Sequence, residues 1–429
     1  MIAGSWDRLP EDLWATLAPP SVSRRSIQAF QSRRLCQLVR HACRTVPFYR
    51  RLYDAHGIRP ESIQRISDLS CLPIIEKADL LKVPVSDRIS EGVSPEALLS
   101  YRTSGSTGEP MTFHRTGLES RILELVRQRM GLESGITPRS KRFFLTERPS
   151  GDDQFLANQI RKLGWFRGDW HDPFDDPHAI TAALRQAKPD LVVGMPSLLD
   201  RLVTTVGIDA FREIRPCVAV VGGDALTPEA RERLEQAFGA RVINTYGSYE
   251  FNLIGFPCPK ADRFHTCDNS VIVEVLSGAE PALVGERGEV VVTGLHSWAM
   301  PLIRYRQGDL AVRGPDNCTC GWPFGSIERL DGRSADTIHL PGDGRLHVFE
   351  LVMPWWDRHR WVGRYQVVQE TPTAIRLVIQ PSRPPTTEEV DDVRRGSQGV
   401  LGEVAKLDVE LTDQIQTPPG SKFRLVTSS

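Results

Sequence analysis

The sequence predicts an α/β protein: a large N-terminal portion built on doubly wound sheets, followed by a small α+β C-terminal domain. Three observations carry that prediction. Strand–loop–helix units repeat from Lys188 to Glu250, the pattern of a parallel sheet with helices between its strands. After Ser270 the texture changes to β-rich segments without long helices. Beyond Leu330-Asp331-Gly332-Arg333 a strand pair, a helix and a further strand follow, which places a boundary between residues 1–331 and 332–429.

The first hundred residues read as mostly helical, with Arg24, Arg25, Arg33 and Arg34 interleaved with apolar positions, the pattern of solvated helix faces. Leu191-Val192-Val193 is a short β-branched run, followed by Gly194-Met195-Pro196-Ser197 and a Leu-rich helix. Val218 to Val221 is a second buried strand, ending in Gly222-Gly223-Asp224. Thr227-Pro228-Glu229 supplies an N-cap, a proline at the first helical position and acid in the first turn, and Gly239 supplies the stop. Arg241 to Asn244 starts the next strand, which leads into Tyr246-Gly247-Ser248-Tyr249-Glu250. Val271–Leu276 and Glu289–Thr293 are strands of the β-rich stretch. In the C-terminal part, Tyr365–Val368 and Ala374–Ile379 pair, and Leu407–Leu411 is a further strand. A helix between them carries Val390, Val393, Val400, Leu401 and Val404, interrupted by Gly396, Gly399 and Gly402.

Composition bounds the function without naming it. The 429 residues admit two or three domains, and 53 Lys+Arg against 54 Asp+Glu give a net charge of -1. That balance argues against nucleic acid or an anionic membrane as the main partner. The longest stretch free of Asp, Glu, Lys and Arg, Val290 to Ile303, contains His296 and Pro301 and is too short and polar to span a bilayer. No basic segment followed by an apolar one opens the chain, so a cytoplasmic protein is expected. Eight cysteines are too few for a disulfide scaffold; Cys36, Cys43, Cys71 and Cys217 are scattered and fit buried small side chains.

In an open parallel sheet, ligands bind outside the carboxyl ends of the strands, where the Gly-rich and polar loops above fall. The most distinctive loop is Thr103-Ser104-Gly105-Ser106-Thr107-Gly108-Glu109-Pro110. Its first six residues hold four hydroxyls and two glycines that can surround phosphate oxygens, although the Walker spacing is absent. Tyr246 to Glu250, Tyr305-Arg306-Gln307-Gly308-Asp309, Gly332-Arg333 and Gly420-Ser421-Lys422 add what a nucleoside triphosphate needs: a ring, carboxylates for Mg²⁺ and ribose, and cations for phosphate. Each alone fits a turn or a surface ion pair; together and in this order they fit one nucleotide site.

In this arrangement the chain resembles the adenylate-forming superfamily, specifically the phenylacetate–CoA ligase branch that also contains CapK-like proteins. The likeness covers nearly the whole chain. It includes Thr45-Val46-Pro47-Phe48-Tyr49-Arg50, Leu72-Pro73-Ile74-Ile75-Glu76-Lys77 and Ala299-Met300-Pro301-Leu302-Ile303-Arg304-Tyr305-Arg306-Gln307-Gly308-Asp309. What the resemblance implies is a two-step reaction: ATP and a carboxylic acid give an acyl-adenylate and pyrophosphate, and a thiol, usually that of CoA, then displaces AMP. The expected acid is an aryl or other small organic acid. Thr103, Ser104, Gly105, Ser106, Thr107 and Gly108 would hold the β- and γ-phosphates. Gly222, Gly223 and Asp224 would lie against adenine, with Tyr246 stacked on it and Gly247 beside it. Glu250 would bind Mg²⁺, Asp309 would bond the ribose, and Arg333 would approach the nucleotide from the hinge. Lys422, on the C-terminal domain, would stabilise charge between carboxylate and α-phosphate. That domain is therefore expected to be mobile, closing for adenylation and rotating at Leu330–Arg333 for thioester formation. A homodimer is a further expectation.

Three positions depart from the family pattern: Glu109 where a lysine is usual, Gln307 where a threonine is usual, and Tyr249 where a hydroxyl normally meets the α-phosphate. The branch also carries a Cys…His and a Cys-x-Cys pair where this chain has Cys258, His265, Cys318 and Cys320. Three thiolates and an imidazole suit tetrahedral Zn²⁺, so a closed structural site is preferred to unpaired core cysteines, with Cys267 an alternative to His265. Delivery to a carrier-protein thiol or an amine, and a degenerate nucleotide-binding relative, are the competing readings. A Ser-His-Asp hydrolase is disfavoured because no G-x-S-x-G elbow occurs.

Overall fold

A computed structural model describes residues 22–102, 111–146, 164–165, 167–173, 175–216, 218–223, 226–333, 337–342, 344–356, 358–359, 361–416 and 426–428. Its contacts divide the chain into a larger unit, Met1–Thr103, Pro110–Gln307 and Ala311–Leu330, and a smaller one made of Asp331–Ser429 with Ser104–Glu109 and Gly308–Leu310.

The larger unit opens with two helices, α1 (Arg24–Thr45) and α2 (Pro47–Ala55). Ser23 caps α1 by accepting from the Ser26 N–H, and Ile27, Phe30, Leu35, Leu38 and Val39 form its buried face. Short helical turns lead to a hairpin, β1 (Leu99–Arg102) and β2 (Thr112–Arg115), which frames residues 103–110. Helix α3 (Gly117–Leu132) follows, opened by a capping box in which Thr116 and Glu119 each bond the other's backbone N–H.

The alternating part of the chain then runs β3 (Arg142–Leu145), β4 (Gly168–His171), α4 (Pro177–Ala187), β5 (Leu191–Gly194), α5 (Pro196–Val206), β6 (Val218–Gly222), α6 (Pro228–Phe238) and β7 (Arg241–Ser248). The strands pair in parallel in the order β4-β3-β5-β6-β7, so the chain winds one way from β3 to β4 and the other way from β3 through β5. Helix α6 begins and ends as its sequence predicts. The Thr227 hydroxyl accepts from the Ala230 N–H, Pro228 takes the first helical position, and Gly239 closes the helix with φ +57°.

Strand β7 is longer than the sequence suggests and includes Tyr246-Gly247-Ser248. It changes partners along its length: through Thr245 it pairs in parallel with β6, and from Tyr246 it pairs antiparallel with β8 (Asn252–Pro257). The antiparallel half continues with β9 (Phe264–Thr266), β10 (Val271–Ser277), β11 (Glu280–Pro281), β12 (Arg287–Gly294), β13 (Tyr305–Arg313) and β14 (Ser326–Arg333). Together they complete a twelve-stranded sheet in the order β11-β10-β12-β13-β14-β9-β8-β7-β6-β5-β3-β4.

The smaller unit holds a hairpin, β15 (Thr337–Leu340) with β16 (Gly344–His347), then α7 (Val348–Trp356), β17 (Val362–Thr371), β18 (Ala374–Pro381), α8 (Thr387–Leu401), β19 (Lys406–Leu411) and β20 (Val426–Ser428). Its sheet order is β19-β18-β17-β20. Helix α8 keeps Gly396 inside it because α7 packs there: a Cβ on Gly396 would lie 3.0 Å from the Trp355 ring. The Trp355 indole N–H donates to the Ser397 hydroxyl at 2.6 Å, and that hydroxyl donates to the Leu351 carbonyl at 2.9 Å. The helix ends at Leu401, so Val404 lies beyond it, and both Val400 and Val404 are exposed rather than part of the buried face.

Candidate functional site

The carboxyl ends of β6 and β7 meet through Thr245, whose hydroxyl donates to the Val221 carbonyl at 3.0 Å. Gly222 sits against Thr245 so closely that a Cβ there would lie 2.7 Å from its carbonyl oxygen. Gly247 is tighter still, with 2.2 Å from an added Cβ to the Asn252 carbonyl oxygen, so no larger residue fits where β7 turns back into β8. That turn carries Tyr249 and Glu250. Tyr249 is 50% exposed, whereas Tyr246 is only 7% exposed and lies in the core of the larger unit.

On β13, Gly308 takes φ +81° immediately before Asp309, which is 9% exposed. Among the described residues, Ser248 Oγ at the end of β7 and Gln307 Oε1 on β13 are buried with no hydrogen-bond partner.

The segment that leads into β13 is braced from three directions. The Tyr49 hydroxyl donates to the Pro301 carbonyl at 3.0 Å and accepts from the Ile303 N–H at 2.9 Å. Burial pushes that phenol well above its ordinary pKa, so it stays a donor. Ile75 forms a bridge with Tyr305: its N–H donates to the Arg304 carbonyl at 3.0 Å and its carbonyl accepts from the Arg306 N–H at 2.9 Å. Arg304 holds φ +50°, a costly value for a residue with a side chain. Its buried guanidinium grips Glu274 through two bonds of 2.9 and 3.0 Å and donates to the Leu72 carbonyl at 2.6 Å. Thus Thr45–Arg50 and Leu72–Lys77, distinctive in the sequence, act here as supports for Ala299–Arg306.

Cys258, His265, Cys318 and Cys320 come together with all ligand atoms within 4.8 Å of one another. Cys258 Sγ lies 3.6 Å from Cys318 Sγ, and His265 Nε2 lies 3.2 Å from Cys320 Sγ. Two thiolates on one tetrahedral zinc, each at about 2.3 Å, would be about 3.8 Å apart, so the donor set and its spacing fit Zn²⁺. His265 is fully buried, and burial lowers its pKa, which favours the neutral imidazole that ligates metals. Its Nδ1 faces the Gly325 carbonyl at 3.2 Å, leaving Nε2 for the cluster. Backbone N–H groups of Lys260 and Trp322 point at the Cys258 and Cys320 sulfurs, at 3.5 and 3.3 Å. Cys267 takes no part: its thiol donates to Asn269 Oδ1 at 3.2 Å.

The AMP-binding enzyme family matches residues 164–319. The chain is 27% identical to the phenylacetate–coenzyme A ligase of Escherichia coli (strain K12), over 74% of this chain and 73% of that one. It is 25% identical to the protein of the same name from Thermus thermophilus, over 75% and 74%. These likenesses are consistent with the adenylate-forming superfamily. Protein CapK of Staphylococcus aureus is 22% identical over 65% of this chain and 61% of that one, which agrees with the phenylacetate–CoA ligase and CapK branch. A solved 2-hydroxyisobutyryl-CoA ligase in complex with R3-HIB-AMP shares the fold, with a TM-score of 0.75, 19% identity and coverage of 95% and 91%.

Of the residues expected in the site, Gly222 ends β6 with Gly223 next to it, Tyr246 and Gly247 lie on β7, Glu250 on the β7–β8 turn and Asp309 on β13. Arg333 ends β14, with only its backbone described. Thr103 to Gly108, Glu109, Asp224 and Lys422 lie outside the described residues. Phe143 is fully buried and stacks on His171 at 4.3 Å, and Phe144 stacks on Trp170 at 4.6 Å. Sequence reading missed Arg115 and Glu119. The Glu119 carboxylate is buried and accepts from the backbone N–H groups of Thr116, Trp298 and Ala299 at 2.6–2.9 Å. Its capping-box spacing, Thr116-x-x-Glu119, was the one available signal.

Proposed function

We propose that this chain is an AMP-forming acid–CoA ligase acting on an aryl or other small organic acid. The observation that carries the reading is the convergence at one edge of the larger unit. Gly222-Gly223 and the Glu250 turn sit at the carboxyl ends of adjacent strands, on a chain whose curated relatives are phenylacetate–CoA ligases. Carboxyl ends of parallel strands are where such sheets take nucleotides, and the Ser248 hydroxyl and Gln307 amide oxygen, without a partner among the described residues, offer polar contacts to a ligand.

In the proposed reaction a substrate carboxylate oxygen attacks the α-phosphorus of ATP and pyrophosphate leaves. The thiol sulfur of CoA then attacks the acyl carbon and AMP leaves. In-line displacement at phosphorus needs positioning and charge neutralisation more than covalent help. Thr103 to Gly108 would hold the β- and γ-phosphates, Asp309 the ribose, and Lys422 the charge shared by carboxylate and α-phosphate. Glu250 is a hard oxygen donor on a partly open turn, which suits Mg²⁺ shared with phosphate oxygens; the ion would supply charge neutralisation there. Cys258, His265, Cys318 and Cys320 would hold a structural Zn²⁺. Four protein ligands leave no open position, so the metal takes no part in catalysis.

Pyrophosphate release against a panel of carboxylic acids, with and without CoA, tests the reading. Acid-dependent release with a CoA conjugate is expected. Release without conjugate would shift the acceptor to a carrier thiol or an amine; ATP binding with no release across the panel would replace the ligase reading with a non-catalytic one.

A further inference from the structure

We infer that Arg115 is a positioning residue that ties the β1–β2 hairpin to the turn carrying Glu250, and so sets that carboxylate for a metal-bound nucleoside triphosphate. The inference rests on the nucleotide reading above and names a residue that reading does not use.

Arg115 ends β2, and Leu99 is its partner in the β1–β2 hairpin. Its side chain is almost fully enclosed, at 5% exposure. The guanidinium donates to the backbone carbonyl of Tyr249, the residue before Glu250. Its central carbon lies 5.1 Å from the ring centroid of Tyr101, which sits on β1. One cation is therefore held on the face of a ring from the first hairpin strand and reaches across to the β7–β8 turn.

Placing a charge there is costly. Burial works against the guanidinium, and Tyr101, Glu119 and Glu250 work in its favour. Of the two carboxylates, Glu119 is already occupied by three backbone N–H groups, from Thr116, Trp298 and Ala299. Glu250 stands on the turn that Arg115 holds. A methionine or leucine would fill the same volume without the desolvation cost, so the cation's contribution lies in what it holds. A hydrogen bond to the backbone beside a metal-binding carboxylate fixes the direction in which that carboxylate leaves the chain. Because the same side chain rests on β1, the turn and the hairpin keep one spacing.

The test uses Mn²⁺–ATP as the probe, with bound Mn²⁺ read by its electron paramagnetic resonance signal. It is applied to the native protein and to Arg115→Ala, Arg115→Gln and Arg115→Lys. Losing a contact that orients a metal ligand weakens metal affinity by about tenfold or more. Mn²⁺–ATP affinity should therefore fall by about tenfold in Arg115→Ala, with a smaller loss in Arg115→Lys. Affinity for metal-free ATP and the KM for the acid should stay near native values. A purely structural role would instead weaken all three together or change none. Arg115→Ala or, if that variant does not fold, Arg115→Gln binding Mn²⁺–ATP as tightly as the native protein would overturn the inference and leave the ligase reading standing. Native protein that binds no Mn²⁺–ATP would overturn both.

Discussion

The two halves of the large sheet use their strand ends differently. In the parallel half, β6 ends at Gly222 with Gly223 and Asp224 following in the sequence, and β7 leads into the turn that carries Glu250. In the antiparallel half the segments between strands are tied down: the approach to β13 by Tyr49, Ile75 and Arg304, and the 318–320 segment by its meeting with Cys258 and His265. Both halves contain sequence motifs of equal distinctiveness, yet one set faces outward from strand ends and the other is consumed in support. A motif that marks a family is therefore not by that fact a motif that touches substrate.

Substitutions can separate the two halves, because strand-end changes should alter turnover and support changes should alter stability. The largest effect is expected outside the large sheet, for Lys422→Ala in the C-terminal part of the chain. It should lower acid-dependent pyrophosphate release by roughly two to three orders of magnitude while ATP affinity stays near native, since losing one preorganised charge in a closed site costs that much. Unchanged turnover would remove Lys422 from the site. Next, Cys318→Ser combined with Cys320→Ser should abolish zinc retention in elemental analysis and lower the melting temperature by many degrees, because metal binding free energy is folding free energy. A native protein carrying well below one equivalent of zinc would dissolve that assignment. Arg304→Ala strands the partly buried Glu274 carboxylate and should cost about 3–5 kcal/mol in denaturant unfolding. A small change there would mean that the φ of +50° is held by the backbone alone. Tyr49→Phe removes one hydroxyl that both donates and accepts, for about 1–2 kcal/mol.

The smallest effect concerns pH. Asp268 accepts from the Thr266 hydroxyl at 2.6 Å and from the Gly325 N–H at 2.7 Å, and burial raises its pKa to about 6. Between the ordinary value near 3.8 and about 6, the folded protein keeps a proton that the unfolded chain releases. This group's contribution to stability therefore falls as pH rises through that window and is constant above it. Asp268→Asn should flatten the stability–pH curve between those limits; an unchanged slope would assign the slope to other groups.

Sequence legibility followed how local the deciding contacts are. Helix α6 was readable to the residue because Thr227, Pro228 and Gly239 act on their own neighbours. Cys318-x-Cys320 was readable as half of a metal set, but the choice between His265 and Cys267 was not. Two residues apart, they are told apart only by distant partners, Cys320 for His265 and the Ile254 carbonyl for the Cys267 backbone. The length of β7 was hidden because its second partner, β8, lies beyond a turn that propensity alone reads as a loop. Arg115 was hidden for a similar reason, since 134 positions separate it from the carbonyl it holds. The parts of the site that sequence names most clearly, Thr103 to Gly108 and Lys422, lie outside the described residues, so their roles rest on the resemblance.

Strand β7 is bonded along both edges, by a parallel neighbour and then by an antiparallel one. Sliding it along its own axis would break two ladders at once, so the turn at its tip does not wait on a slow rearrangement of the strand beneath it. If that tip takes a metal–nucleotide complex as proposed, capture should accordingly proceed at a rate proportional to ligand concentration, without the plateau that a gating step imposes.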